Sequence, residues 1–343
     1  MNNLSEYKDI WILAEQKEGK LLSISFELIT RGIGLARKRN SKLVAIIFSD
    51  GINDDELRKL ILCGCDLVLS VESPELKNFL PEPYSMAMLE LIQKYKPEVI
   101  LAGATSTGRT LMPYVAMKAY CGLTADCTQL DIEEITGNLL QTRPAIGGNI
   151  MACIKTPKNR PQMATIRPHS TKAAIPDQSK KSGEIIKIHP SELLKSRIQY
   201  IGFLPLNEKQ NIQNAEKVVV VGRGIKKAEN IAIARELAES IGAALGATRD
   251  VVDRGWLSYP HQIGLSGKTI TPKLYIGLGV SGSIQHLAGM QTAETIIAVN
   301  NDPEAQIFKV ADFGIVGDLF EVVPEMIKQL KEAKSNEKNF CWS

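Results

Sequence analysis

The sequence predicts an α/β protein of two domains, each a mainly parallel sheet flanked by helices, and three observations carry that prediction. Apolar strand-like runs alternate with amphipathic helical runs through the first 125 residues, the order that builds parallel sheets with helices on both faces. A stretch rich in Lys, Ser, Pro and Gln over 168–200 breaks the alternation, which resumes abruptly at Lys217-Val-Val-Val-Val-Gly222. The length of 343 residues exceeds one ordinary core and suits two domains of about 100–200 residues each.

In chain order, Ile10–Ala14 reads as a strand, Ser25–Arg39 as an amphipathic helix and Leu43–Phe48 as an apolar strand. Asp54–Leu62 follows as a helix with an acidic start, and Asp66–Val71 as a strand. Ser85–Tyr95 is helical and stops before Pro97, a residue that disfavours helix in its predecessor; Val99–Ala102 is a short buried strand. Gly103-Ala-Thr-Ser-Thr-Gly-Arg109 then opens a helix over Thr110–Tyr120. From about Gln129 the texture turns β-like. Leu139–Arg143, Asn149–Lys155 and Gln162–Arg167 suggest antiparallel additions to the same domain. The 168–200 stretch reads as a surface extension or linker containing one strand-like run, Glu184–His189. The expected organisation is an N-terminal α/β domain over 1–202, a hinge over 203–214 and a C-terminal α/β domain over 215–343. In the last, Lys217–Gly222, Ala243–Ala247, Lys273–Gly277, Thr295–Val299 and a segment near Ile315 are strands; Ala228–Ile241, Ser283–Met290 and Leu319–Lys331 are helices.

Composition narrows the function. A net charge of +3, with no Lys/Arg-rich run carrying interleaved aromatics, argues against nucleic acid. No apolar stretch is long enough for a transmembrane helix. The first twenty residues carry Glu6, Asp9, Glu15 and Glu18 and resemble neither a signal nor a transit peptide, so a cytoplasmic location is expected. The cysteines Cys63, Cys65, Cys121, Cys127, Cys153 and Cys341 are scattered and read as reduced thiols rather than a metal site.

The chemistry is sought at the carboxyl ends of the C-terminal strands, where ligands of parallel sheets bind. The first strand there ends in Gly222-Arg223-Gly224, whose glycines permit a tight turn and whose guanidinium suits pyrophosphate. A full dinucleotide fingerprint would need glycine at 227, which is Lys227, so this turn alone is equally a plain strand–helix connection. The other ends accumulate. They carry Thr248-Arg249-Asp250, then Gln262-Ile263-Gly264-Leu265-Ser266-Gly267-Lys268, then Gly279-Val-Ser281-Gly282-Ser283-Ile284-Gln285-His286. Asn300-Asn-Asp-Pro303 and Gly314–Asp318 complete the set. One such end is ordinary structure; five together point to a large polar ligand. Bland readings stand beside several of them: Asp318 as a helix cap, His286 as a satisfied core histidine, Arg249 with Asp250 as a surface pair. His261, Trp256 and Tyr259 read as local packing.

These motifs resemble the FAD domain of electron-transfer flavoprotein α subunits, most extensively over Leu274-Tyr-Ile-Gly-Leu-Gly-Val-Ser-Gly-Ser-Ile-Gln-His-Leu-Ala-Gly-Met290 and Asp312-Phe-Gly-Ile-Val-Gly-Asp318. Gly103–Arg109, Gly122-Leu-Thr-Ala-Asp126 and Thr142-Arg-Pro-Ala-Ile-Gly-Gly-Asn149 extend the resemblance to nearly the whole chain. It implies FAD as cofactor, with Arg223 at the pyrophosphate and Arg249 against the isoalloxazine, where its charge favours an anionic semiquinone. It implies Ser266 as a donor toward flavin N5 and His286 at the pyrimidine end of the ring. Thr248, Ile263, Gly264, Leu265, Gly282, Ser283, Ile284 and Leu319 fall within the implied contacts, and Ser281, Gln285, Asn300 and Asp318 would hold the ribityl, phosphate and adenosine parts. Many relatives carry Thr at 266 and Gln at 265; Leu265 removes one hydrogen bond that could tune the flavin. The resemblance further implies an obligate electron-transfer flavoprotein β subunit and electron exchange with acyl-CoA dehydrogenases or related flavoenzymes, hence a place in acyl-CoA or fatty acid metabolism. Some relatives belong to NADH-linked electron-bifurcating complexes, and the chain leaves the two forms open. The alternative is a nucleotide-binding α/β oxidoreductase acting on its own substrate, against which stands the lack of a nucleophile–base pair, metal cluster or complete fingerprint.

Overall fold

The computed structural model describes residues 4–145, 150–179, 182–203 and 212–340, without the side chains of Asn214 and 334–340. It divides into two compact units, Met1–Leu204 and Pro205–Ser343. Most of the expected hinge, 204–211, lies outside the described residues, as do 146–149 of the Thr142–Asn149 motif and Cys341. Among the described residues no helix is long and apolar enough to cross a membrane.

The first unit opens with β1 (Lys8–Ala14), the small hairpin β2 (Gln16–Lys17) and β3 (Lys20–Leu21), α1 (Ser23–Arg39), β4 (Leu43–Ser49), α2 (Asp54–Cys63) and β5 (Leu67–Glu72). It continues with α3 (Pro81–Tyr95), β6 (Pro97–Gly103), α4 (Ser106–Lys118), β7 (Leu123–Cys127), β8 (Gln129–Ile132), β9 (Leu139–Ala145), β10 (Ile150–Ile154), β11 (Gln162–Ile166) and β12 (Glu184–Ile188). Local chemistry sets the helix ends. Asn53 caps α2 by accepting from Asp55 N, behind which Asp54, Asp55 and Glu56 face the positive end of the helix dipole. The α3 helix starts four residues earlier than expected because Pro81 occupies its first position, where no amide hydrogen is needed. Thr105 caps α4 by accepting from Gly108 N, moving that helix forward to Ser106.

Seven of these strands form one parallel sheet in the order β12-β5-β4-β1-β6-β11-β7. Apolar clusters fill both of its faces, one around Leu28, Leu57 and Leu101 and the other around Trp11, Met88 and Leu111. Two expectations are corrected here. The Gln162–Arg167 segment is not an antiparallel addition: β11 runs parallel between β6 and β7, every residue buried, as an interior strand of a parallel sheet must be. Its Gln162 reads as surface but is buried, with Oε1 accepting from Leu139 N at 3.0 Å. Likewise Glu184–His189 is no mere linker, since β12 forms the sheet's edge beside β5. Its exposed Glu184 and Lys187 suit an edge strand. The antiparallel addition is the three-stranded sheet β10-β9-β8.

The second unit contains β13 (Lys217–Val221), α5 (Ile231–Ile241), β14 (Ala244–Ala247), α6 (Arg249–Asp253), β15 (Leu274–Leu278), α7 (Ile284–Leu287), β16 (Thr295–Asn300), β17 (Phe313–Val316) and α8 (Leu319–Phe340). Its five strands form a wholly parallel sheet in the order β14-β13-β15-β16-β17. One face packs on α5 and α8 through Ala234, Leu237, Val323 and Ile327, the other on Ile263, Ile270, Met290 and Ile307. Two of the expected helices are shorter than the patterns that announced them. Ala228–Asn230 is a 3-10 turn leading into α5, and α7 ends at Leu287.

Candidate functional site

From β13 the second sheet grows one way to β14 and the other way to β15, so its strand order reverses between β13 and β15. The crevice outside the carboxyl ends at such a reversal is where open parallel sheets bind ligands. The turns that leave these two strands touch backbone to backbone. A Cβ on Gly222 would lie 2.2 Å from the Gly279 oxygen, and Gly224 N donates to that same oxygen at 3.1 Å. Any side chain at 222 would push the two turns apart, so the glycines here hold one continuous backbone floor.

A second pair of segments is joined beside it. Leu265 N donates to the Gln285 carbonyl at 2.7 Å, and a Cβ on Gly289 would lie 2.5 Å from Gly264 backbone. Ser266, exposed in this loop, has its hydroxyl bonded by Gln262 Nε2 at 3.0 Å and its carbonyl by the Tyr259 hydroxyl at 3.0 Å. His286 faces inward with 4% exposure. Its Nδ1 stands 3.1 Å from the Ile263 carbonyl and its Nε2 2.8 Å from the Tyr275 hydroxyl. A carbonyl only accepts, so Nδ1 carries the proton and Nε2 accepts from the tyrosine. Burial lowers the His286 pKa to about 4, so the ring is neutral. Of the readings weighed for it from the sequence, the satisfied interior histidine describes its present bonds; a direct ligand contact would require one of them to be given up.

Asn300, at the end of β16, donates from Nδ2 to Val280 O at 2.9 Å and accepts from Asp302 N at 3.0 Å, tying that strand end to the turn after β15. Ser281 O accepts from Ile307 N at 3.1 Å, and Gly282 packs against Ile307 backbone. Ser281, Ser283 and Ile284 are exposed, Thr248 is half-buried at the first position before α6, and Leu319 is buried as the first residue of α8. Asp318 accepts from Phe320 N at 2.9 Å and so caps α8, with Lys226 Nζ 3.8 Å away. The cations are outward. The Arg223 side chain is 76% exposed and 3.9 Å from Asp250; Arg249, at the start of α6, is 70% exposed and 3.2 Å from Asp253. Asp250 also pairs with Arg254 at 3.2 Å, so the bland reading had the wrong partner for Arg249 but the right setting.

The predicted residues follow the carboxyl ends of β14, β13, β15, β16 and β17, except 263–266, which lie in the loop before β15 and join the end of β14 through the Ala247–Gln262 bridge. A glycine floor, exposed guanidiniums and hydroxyls fit a long, polar, anionic group, and FAD is such a group. No cluster of His, Cys, Asp and Glu able to hold a metal occurs among the described residues. Sequence reading missed Tyr275 and the bracing roles of Gln262 and Tyr259. Tyr275 lies within an otherwise apolar strand, and nothing in that pattern signals where its hydroxyl points.

Two family models match the chain: the electron transfer flavoprotein domain over residues 10–193 and the electron transfer flavoprotein FAD-binding domain over 211–291. Among similar proteins, the electron transfer flavoprotein subunit alpha of Thermoanaerobacterium thermosaccharolyticum is 47% identical over 335 residues, covering 96% of this chain and all of the relative. The acryloyl-CoA reductase electron transfer subunit beta of Anaerotignum propionicum is 41% identical, covering 97% of this chain and 98% of its own. A subunit of the lactate dehydrogenase (NAD(+),ferredoxin) of Acetobacterium woodii is 40% identical, covering 97% of this chain and 79% of its own.

Proposed function

This chain belongs to the electron transfer flavoprotein family as an α subunit, an FAD-containing electron carrier, and from that premise we propose which of its residues serve the carrier and with what it trades electrons. The observation that carries the proposal is the backbone contact of the Gly222–Gly224 and Gly279–Gly282 turns at the strand reversal, flanked by outward-facing arginines. Bound there, FAD would supply the isoalloxazine ring, which takes up and returns electrons. Arg223 holds the pyrophosphate, since it lies between Gly222 and Gly224 of the floor and, among the described residues, its guanidinium pairs only with a carboxylate 3.9 Å away. Arg249, at the start of α6 behind Thr248, places a guanidinium charge beside the ring. Ser266, oriented by Gln262, offers its hydroxyl, while the 263–266 backbone and the Ser281–Gln285 turn line the ring and ribityl chain. Asn300, Asp318 and Leu319 form the adenosine end.

In this reading the chain works only beside a β subunit, and its electrons come from or go to a flavin dehydrogenase of the acyl-CoA type. The name of the Anaerotignum relative, an acryloyl-CoA reductase electron transfer subunit, agrees with the acyl-CoA type, and that of the Acetobacterium relative, which names NAD(+) and ferredoxin, favours a second form of the same reading, in which the pair serves an NAD-linked, bifurcating complex. The test is a flavin count on the chain co-expressed with its genomic partner. One FAD assigned to this chain, with no FMN, is expected; a flavin-free complex, or FAD bound as tightly as in the parent after Arg223, Arg249 and Ser266 are all replaced by Ala, would overturn the assignment.

A further inference from the structure

Two residues past the glycine floor, the turn that leaves β13 takes a backbone conformation that side chains disfavour. Lys226 has φ 69° and ψ −42°, and across it Lys227 N donates to the Ile225 carbonyl at 2.9 Å. This is a γ-turn of the rarer hand, which a residue with a Cβ adopts only under strain. In the turn after β15 the positive φ values fall to glycine instead, 61° at Gly279 and 81° at Gly282. The strained turn is fixed from both sides. Ile225 is fully buried and its carbonyl also accepts from Asn230 Nδ2 at 2.9 Å, while Lys226 N donates to Arg223 O at 3.0 Å. Glycine would meet this geometry without steric cost, so the lysine side chain is what the strain retains.

That side chain reaches the start of α8. Its Nζ lies 4.9 Å over the Phe320 ring and 3.8 Å from Asp318 Oδ2. A cation there meets the positive end of a 22-residue helix, an unfavourable place on charge alone. The exposed pair with Asp318 contributes too little to stability to account for either feature. Asp318 Oδ1 is engaged by Phe320 N at 2.9 Å, and Lys226 stands beside the other oxygen, the one turned away from the cap. We infer that Lys226 is a positioning residue for the adenosine end of the FAD site: the strained turn delivers its ammonium to Asp318, and the ammonium sets where Oδ2 of that carboxylate points. This inference rests on the FAD site proposed above. The role needs a positive charge on a long side chain and acts through Asp318. Arginine meets that need; methionine keeps the aliphatic stem on Phe320 without the charge; glycine removes stem, charge and strain together.

The experiment uses the full chain with its partner subunit and compares the parent with Lys226→Met, Lys226→Arg, Lys226→Gly, Asp318→Ala and the double variant Lys226→Met with Asp318→Ala. FAD affinity is read by titration, and melting temperature at saturating FAD. Lys226→Met should weaken FAD about twofold to fivefold, the range of an exposed ion pair, and Lys226→Arg should keep the parent affinity. Adding Lys226→Met to Asp318→Ala should weaken FAD no further, because the two act as one unit. Lys226→Gly should lose FAD affinity as Lys226→Met does, yet melt at a higher temperature than Lys226→Met, since only glycine relieves the turn. Parent-like affinity in Lys226→Met, or Lys226→Arg as impaired as Lys226→Met, would overturn the role of the charge while leaving the FAD site intact. A further loss in the double variant would show that Lys226 acts on the ligand without Asp318, which also overturns it. A glycine variant melting no higher than the methionine variant would show that the turn stores no strain and remove the reason for the lysine. A parent complex without FAD overturns the site assignment first and this inference with it.

Discussion

Replacing Glu15 by glutamine should change how the stability of the first unit depends on pH. Glu15 follows β1, and its Oε1 accepts from the Thr105 hydroxyl at 2.8 Å, just past the end of β6. Because β1 and β6 are neighbours where that sheet's order reverses, the crevice between them is spanned by the chain's own carboxyl. With 7% exposure, burial raises its pKa from 4.5 to about 7, partly offset by the Thr105 bond. A folded-state pKa above the unfolded one means that the native state holds the proton more tightly. The associated stability is full below pH 4.5 and is lost as pH rises through 7. Between pH 5 and pH 8 that loss integrates to about 2.5 kcal/mol, equivalent to roughly 5–10 °C in melting temperature for a unit of this size. The amide introduced by Glu15→Gln does not titrate, so the variant escapes the loss. Glu27, also raised to about 7, titrates in both proteins and cancels from the comparison. The assay is thermal unfolding followed by fluorescence of Trp11, a buried residue of β1, at half-unit steps from pH 5 to 8. The melting-temperature gap, variant minus parent, should widen steadily toward pH 8. A gap that stays flat would mean that Glu15 is ionised at no cost and that the burial argument is wrong.

Three further outcomes are expected. Arg223→Ala should weaken FAD by about tenfold, the low end for a hydrogen bond to a charged group because the site is exposed; unchanged affinity by titration would remove Arg223 from the pyrophosphate. Arg249→Ala should retain FAD but shift the midpoint of its first one-electron reduction to more negative potential, with Arg249→Lys intermediate, as stepwise reductive titration would record; an unshifted midpoint would show that the charge lies elsewhere. Asp318→Asn should keep the cap on α8 and therefore its stability, whereas Asp318→Ala should lose about 1 kcal/mol; if both lose FAD equally, the carboxylate contacts the ligand as well as the helix.

Much of the fold was legible because burial on both faces leaves a plain signal. The four valines of β13 and the Leu43–Phe48 run of β4 read as strands of a parallel sheet, since nothing polar interrupts them. The errors have equally local causes. β11 carries Gln162 and Thr165, side chains that look like surface; in the fold Gln162 is buried because its oxygen accepts from Leu139 N. β12 follows a linker-like stretch, and no strand-pairing signal ties it to β5, more than 110 residues earlier. β7 escapes the pattern because Asp126 within it adopts a left-handed backbone, φ 62°, which breaks alternation and goes with the register shift opposite β11.

The candidate site was legible as a row of loops but not as a mechanism, and the difference is physical. Glycines, hydroxyls and arginines at strand ends advertise a ligand because each departs from what a mere turn requires. Hydrogen bonds between segments leave no such trace: Tyr275 and His286 are eleven positions apart, on different elements, and their pairing depends on how β15 and α7 face one another. The two kinds of residue also differ in how firmly they are held. Arg223 and Arg249 are engaged by exposed carboxylates, contacts worth about 0–1 kcal/mol, so turning either toward an anionic ligand costs little. The Tyr275–His286–Ile263 chain is buried, and breaking it strands polar groups at about 1–3 kcal/mol each. The charges of this site are therefore free to adapt to the ligand at a cost that the buried chain would exceed. Substitutions at the arginines should accordingly act on affinity and potential.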